Sequence, residues 1–383
     1  MERMAPTNSE HLVVQTIQEA FGDVSDPRVD NTLYYEFFDL LCFALVAVLA
    51  GAEGWSDMAQ FAELRLDWFK SFLKLRRGPP PRWVFYRVFR AIEPAVFQAA
   101  LGNWVQLLAK RLDLKFDHLS FDGKAIRGAT KKGFETSPLF LLHIWAQEHG
   151  LLLGHKTIAG APNEPEAFLK LLEGLSVKGM LISADANSAN KDIMNGIVEK
   201  EADFSFPVKG NRPELLAEAT KAFAGAKETT EHLESSRGHG REETRKALVA
   251  WGDEAMPLIG YPHVKAVMRL ERTRKVGGKE EVETATYVSS RKMDAKEWSR
   301  YARNHWGIEN GLHWMLDVVM GEDDHLMESG PAAENLATLK RFCVMLVRRK
   351  PRGKYESFAS RLRKAAWSIE YLERLLVTSL SAD

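Results

Sequence analysis

The sequence predicts a mixed α/β protein: a strand-and-helix core, an all-β stretch within it, and helices before and after. Three observations carry this reading. Apolar residues recur at helical spacing as far as about residue 113. From Phe116 onward, short apolar runs of strand length alternate with amphipathic segments. Between Lys227 and Ser290 the pattern is strand-rich, and helical spacing then returns.

In chain order, Tyr34–Ala52 and Ala59–Leu75 carry helix-period apolar residues. Pro79-Pro80-Pro81 breaks the helical pattern, because successive prolines remove amide donors and disfavour helix before them. Val84–Ile92 and Ala95–Leu112 are again helical. His118–Asp122 reads as a short strand. Pro138–Glu148 and Leu151–Ile158, joined at His149-Gly150, read as a hairpin. Glu164–Leu175 (helix), Gly179–Ala184 (strand), Lys191–Lys200 (helix), Asp203–Lys209 (strand) and Pro213–Ala224 (helix) follow. This β-β-β-α-β-α-β-α order is that of an RNase H-like core. Arg245–Trp251, His263–Thr273 and Glu281–Ser289 are the clearest strands of the all-β insertion. Ala295–Val318, Ala332–Val347 and Ile369–Val377 close the chain as helices. The expected units are a helical, DNA-associated region 1–113, a first core segment 114–226, the β insertion 227–292, a second core segment 293–350, and a basic helical tail 351–383.

The 383 residues are 45% hydrophobic and 27% charged, the balance of a globular protein with a sizeable core. Cys42 and Cys343 both sit in apolar runs, which predicts packed core thiols and a reducing compartment. The apolar run Leu40–Ala52 is shorter than the roughly 20 residues a membrane span needs, and the N-terminus shows no signal-peptide core. A cytoplasmic protein with no membrane partner is expected. The 52 basic and 52 acidic residues cancel, yet they are unevenly distributed. Lys340–Lys364 holds ten Lys or Arg against Glu356. Arg65–Arg90 holds eight against Asp67, interleaved with Trp68, Phe69, Phe72, Trp83, Phe85, Tyr86 and Phe89. Basic residues among aromatics can grip phosphates; solvated faces of amphipathic helices are the alternative.

Three acids stand out by position. Asp122 and Asp185 end apolar strand-like runs, and in an open α/β sheet such ends face a common crevice. Glu309 lies on the helical segment after the β insertion. Mg²⁺ prefers hard oxygen ligands, and two ions about 3.5–4 Å apart suit in-line phosphodiester displacement. Bunched carboxylates raise one another's pKa, and a cation reverses this.

The residues around these acids carry a resemblance. Phe121-Asp122-Gly123-Lys124-Ala125-Ile126-Arg127-Gly128 resembles the first-aspartate motif of bacterial DDE insertion-sequence transposases of the ISAs type, which includes the H-repeat-associated proteins. Ile182–Ala186 resembles the second-aspartate strand, Phe206–Asn211 the next strand and turn, and His239–Arg245 a motif of the β insertion. The run Arg303–Val318, with His305-Trp306-Gly307-Ile308-Glu309-Asn310, is similar to the glutamate motif and continues in Glu322-Asp323 and Glu334–Ala337. Asp26-Pro27-Arg28, Leu49–Ala52 and Trp55 are similar to the helical region before the core. The chain departs from the pattern at Pro81–Val84, at Asn190 where Gln is usual, and at Leu326 and Glu328 where arginines are usual.

The resemblance implies a transposase with Asp122, Asp185 and Glu309 as catalytic metal ligands. It also implies Mg²⁺ (Mn²⁺ as substitute), as a pair of ions. Lys124, Arg127, Lys209 and Arg241 are expected at DNA, joined by Arg76, Arg77, Arg348 and Arg349 of the basic stretches. Asn310, His313 and Asp317 are expected to support the ligands. The implied partners are double-stranded DNA, as terminal inverted repeats and target, and a second copy of the chain on paired ends. Two alternatives remain open at this point: a transposase-like DNA-binding protein that does not cut, and a metal nuclease acting on RNA or structured DNA. The β insertion argues against the latter.

Overall fold

The computed structural model describes residues 14, 17–18, 20–28, 34–73, 75, 77–129, 139–158, 164–238, 241–251, 258–324, 330–349, 353 and 356–380, with only the backbone for Arg241 and 377–380. Arg76, Leu326 and Glu328 lie outside the described residues.

After helical residues around Ile17–Phe21, the described helices before the sheet are α1 (Phe37–Leu49), α2 (Trp55–Leu64), α3 (Leu66–Lys70), α4 (Arg82–Ala91) and α5 (Pro94–Arg111). The near-continuous apolar sequence of α1 is buried from Asp39 to Leu49, as expected of a helix that is apolar all round. The core then runs β1 (His118–Ile126), β2 (Leu139–Ala146), β3 (Leu151–Ile158), α6 (Glu164–Glu173), β4 (Leu181–Ser183), α7 (Lys191–Glu199), β5 (Asp203–Val208) and α8 (Pro213–Gly225). Four long strands follow: β6 (Glu228–Gly238), β7 (Arg241–Trp251), β8 (Ala266–Val276) and β9 (Lys279–Ser289). Helices α9 (Ala295–His305), α10 (Pro331–Arg349), α11 (Phe358–Trp367) and α12 (Ile369–Leu380) complete the chain.

All nine strands form one mixed sheet in the order β3-β2-β1-β4-β5-β9-β8-β7-β6. β1 is antiparallel to β2 and parallel to β4, and β4 is parallel to β5, which is the RNase H-like arrangement the element order predicts. The insertion is an extension of this sheet, because β9 pairs antiparallel with β5 from Ser205↔Ser289 to Val208↔Thr286. Its first strand, β6, was not among the strands expected. Residues 228–238 expose most of their side chains and so lack the apolar alternation that marks a half-buried strand.

Helix α10 runs through the interior. Its residues Asn335 to Val347 are all buried, and Cys343 approaches the Leu45 carbonyl of α1. Cys42 and Cys343 are both free and buried, and burial pushes both thiols well above their ordinary range. The expectation of core thiols holds. No helix among the described residues is long and apolar enough to cross a membrane.

The expected single helix 295–318 is interrupted. After α9 the chain makes π-helical turns at Glu309–His313 and Met315–Val319. Such widened turns are uncommon and concentrate at functional sites.

Candidate active site

The carboxylates assemble where the parallel pairing of β1 and β4 stops. That pairing ends at Ser120↔Ser183, while β1 continues beside β2 as far as Ile126. Asp122 is therefore within a strand rather than at its end, opposite His143 of β2. It lies past the end of pairing on the β4 side only, and Asp185 emerges there too. The Asp185 carboxylate Oδ1 accepts from the Asn187 and Ser188 amides at 3.1 and 3.3 Å, capping a short 3₁₀ turn. Asn190 caps α7 in the same way, through the Ile193 amide at 2.9 Å. Glu309 opens the first π turn.

The three acids share one electrostatic environment. Burial, then the charges of Glu309 and Asp185, raise the Asp122 carboxyl to about 7, against the Gly123 amide, which favours its ionised form. Glu164 adds a further, smaller push. That residue, the first of α6, was absent from the sequence reading. It is 6% exposed, with a carboxyl raised to about 7 by burial and by Asp185. Gly123 makes room for the Phe140 ring, which a Cβ there would strike, and Glu164 Oε1 lies 3.7 Å from that Cβ position. Below, Phe121 stacks on Phe168 of α6 at 4.0 Å between ring centroids, fixing α6 against β1. Burial raises Glu309, with nearby Lys209 opposing.

Around Asp122 the polar groups are specified. Arg341 Nε donates to His143 Nε2 at 2.7 Å, so His143 carries its proton on Nδ1 and donates it to the Asp122 carbonyl at 3.3 Å. The Asp122 carboxyl accepts from the Gly123 amide at 2.9 Å and faces His313 Nδ1 at 3.4 Å. Burial, with Arg341 and Lys124 nearby, lowers His313 to about 3, so this imidazole is neutral. Arg341 also grips Glu322 at 2.6 Å.

The expected supporting residues divide. His313 reaches Asp122. Asp317 instead pairs with Lys124 at 2.5 Å. Asn310 is exposed and donates to the Trp306 carbonyl at 3.2 Å.

The expected DNA contacts divide as well. Lys209 and Arg127 are exposed near the acids, the Arg127 amide donating to Asp323 at 2.9 Å. Arg77 is exposed, its guanidinium 3.8 Å from the Tyr34 ring centroid. Arg241 opens β7. Lys124 is a correction: it is buried among Asp317, Glu322 and Asp323, so it neutralises acids inside the fold rather than facing solvent. Arg348 is another, since its guanidinium donates to the Gly311 carbonyl at 3.1 Å and lies 5.5 Å from the Trp145 ring centroid. Arg349 is half-buried and partnered. Much of the second basic stretch is internal: Lys340 bonds the Met320 carbonyl, Arg341 bonds Glu322, and Arg361 bonds the Val347 carbonyl. The first stretch keeps an outward face on α4, where Arg87 and Arg90 lie over the rings of Trp83 and Tyr86.

A groove of about 210 Å³ runs beside Glu309, between α9 and the β7–β9 face. Arg245, Arg272, Arg274 and Arg303 line it together with Glu243 and Glu283, which pair with Arg245 and Arg272.

A divalent metal fits the chemistry of this donor set. The oxygens are hard, Asp122 is held near neutral pKa by burial and then by its acidic neighbours, and Glu164 is buried with no hydrogen-bond donor among the described residues. Among the described residues no three acids, histidines or cysteines stand close enough together to hold an ion as they are placed. Closure of the set therefore requires side-chain movement.

The chain is 29% identical over 380 residues to the "H repeat-associated putative transposase YhhI" of Escherichia coli K12, covering 96% of this chain and 99% of that protein. It is 31% identical over 284 residues to an uncharacterized protein in the dhlA 3′ region of Xanthobacter autotrophicus, covering 72% of this chain and 94% of that one. A piggyBac transposase solved as a synaptic complex with hairpin DNA superposes with a TM-score of 0.42 and 10% identity, over 98% of this chain and 83% of that one. The DDE transposase-associated family model matches residues 18–105. The transposase DDE domain model matches residues 114–346, more than half of the chain, and the chain belongs to that transposase family.

Proposed function

We propose that this transposase cuts the ends of an insertion-sequence element and joins them to target DNA, with Asp122, Asp185 and Glu309 as the residues that hold divalent metal. One observation carries the reading: where the β1–β4 pairing ends, burial, then the charges of Glu309 and Asp185, push the Asp122 carboxyl up to about 7. Bound Mg²⁺ or Mn²⁺ would polarise the attacking oxygen and neutralise the leaving one. The chain's own part is positioning. Gly123 and His313 orient the Asp122 carboxyl, and the Asn187 and Ser188 amides orient Asp185.

The proposed chemistry is two in-line displacements at phosphorus. Water attacks first and the 3′ oxygen leaves, taking up a proton. The freed 3′-hydroxyl then attacks a target phosphate, loses its proton, and expels the target strand's 3′ oxygen. Exposed Lys209 beside Glu309, the arginine-lined groove and the outward face of α4 support a path for the phosphodiester backbone. The family resemblance supports a homodimer on paired ends.

The test is end cleavage by wild type and Asp122→Ala with Mn²⁺. Cleavage by wild type and none by the variant is expected. Equal products from both would remove Asp122 from catalysis. Tight, uncut binding of the ends by wild type would leave a DNA-binding protein.

A further inference from the structure

We infer that Ser183 is a positioning residue that sets the relative placement of Asp122, Asp185 and Glu309 through one buried hydroxyl. The inference rests on the metal-centre reading above.

Three hydrogen-bonding partners meet at Ser183 Oγ: His118 Nε2 at 2.8 Å, His305 Nδ1 at 3.0 Å and Ser120 Oγ at 3.4 Å. Each acid-bearing element contributes to the cluster, β1 through both His118 and Ser120. Ser120 lies two residues before Asp122 on β1. Ser183 lies two residues before Asp185. His305 lies four residues before Glu309 at the end of α9. Two residues along a strand return to the same face after about 6.6 Å, and four along a helix advance about 6 Å on one side. The three contacts therefore form a layer one pleat, or one helical turn, beneath the acids. Ser120 and Ser183 are direct partners in the parallel register, the last before the strands part.

The layer is dry: Ser120 is 0% exposed, His118 2% and Ser183 5%. Both imidazoles are neutral, burial lowering His118 to about 3 and His305 to about 4. Ser183 has one hydrogen to give and lone pairs to receive. Its hydroxyl accepts from His118 Nε2–H, and its one hydrogen serves Ser120 Oγ or His305 Nδ1, so these contacts join β1 through β4 to α9. Asp117 holds the middle of that helix, through Arg300 at 2.9 Å and Tyr301 at 3.3 Å. The only side-chain tie between β4 and the helix bearing Glu309 that is one turn from the acid is this hydroxyl, among the described residues.

The experiment titrates metal-free, full-length protein with Mn²⁺ and follows free Mn²⁺ by electron paramagnetic resonance. Ser183→Ala is expected to weaken Mn²⁺ binding about tenfold or more, with an unfolding midpoint near that of wild type. His305→Ala should match it. His305→Asn, which returns an acceptor oxygen near the Nδ1 position, should recover most of the affinity. The double Ala variant should be no weaker than Ser183→Ala alone, because both remove one link. Wild-type affinity in Ser183→Ala overturns the inference, as does equal loss in His305→Asn and His305→Ala. If Ser183→Ala does not fold, the His305 pair decides. Asp122→Ala separates the two readings: if it abolishes binding while Ser183→Ala and His305→Ala bind normally, only the positioning role fails. If Asp122→Ala also binds normally, the metal centre itself fails.

Discussion

Replacing Asp122 with Asn should stabilise the metal-free protein above neutral pH. Its carboxyl titrates at about 7 in the folded chain and at 3.8 as an ordinary aspartate. Between those values the folded state holds a proton that the unfolded chain has released. Stability therefore falls as pH rises through that window and levels off above it. At about 1.4 kcal/mol per pH unit, the gap bounds the loss at about 4 kcal/mol. The side chain is 18% exposed, and relaxation with water entry reduces the figure to roughly 2 kcal/mol. Asn removes the charge and keeps an oxygen for the Gly123 amide. Urea denaturation of both proteins in chelator, from pH 4.5 to 8.5, measures this. The curves should approach one another toward pH 4 and separate by about 2 kcal/mol above pH 7, with Asn the more stable. Added Mn²⁺ at pH 8 should stabilise wild type and leave Asp122→Asn nearly unchanged. Parallel pH profiles would refute the claim that Asp122 bears the strain of its neighbours' charge.

Three further outcomes follow from the same geometry. Glu164→Gln should weaken Mn²⁺ binding by about tenfold and move the wild-type stability window to lower pH, read by the same titration and urea series. Lys124→Met should cost about 3 kcal/mol in urea unfolding, because it leaves buried Glu322 and the neighbouring Asp317 and Asp323 short of a counter-charge. Arg87→Glu with Arg90→Glu should weaken DNA binding across sequences and flatten its salt dependence without changing stability, whereas Arg348→Glu should lower the unfolding midpoint first; fluorescence anisotropy at several salt concentrations and thermal melts distinguish them.

Much of the fold was legible because it is written locally. Strand and helix periods in the core fall within a few residues of the observed elements, and the settings of Asp122, Asp185 and Glu309 mark them as candidates. What stayed hidden was made by distant residues. Glu164 sits in Asn163-Glu164-Pro165-Glu166, which reads as an exposed helix start; it is buried only once α6 packs beside β1, where its charge acts on Asp122. Lys340 and Arg341 count as surface charge until Met320 and Glu322 fold over them. Charge counting along the chain cannot see acids and carbonyls contributed from elsewhere. The π turns after His305 were also illegible, since the apolar spacing from Ala295 to Val318 is consistent with one continuous helix.

The continuity of the sheet across β5 and β9 has a mechanical consequence. A separately folded insertion on two flexible connections could swing without disturbing the acids. Here the four long strands are a cantilever whose root is the β5–β9 ladder, one strand from the strand that leads to Asp185. The same arm grips α9, through Arg303 to Glu234 at 2.8 Å and the Ala295 amide to Thr230 at 2.9 Å. A load on the outer end of the arm therefore reaches the proposed metal site along two routes, strand and helix, which meet again at its acids.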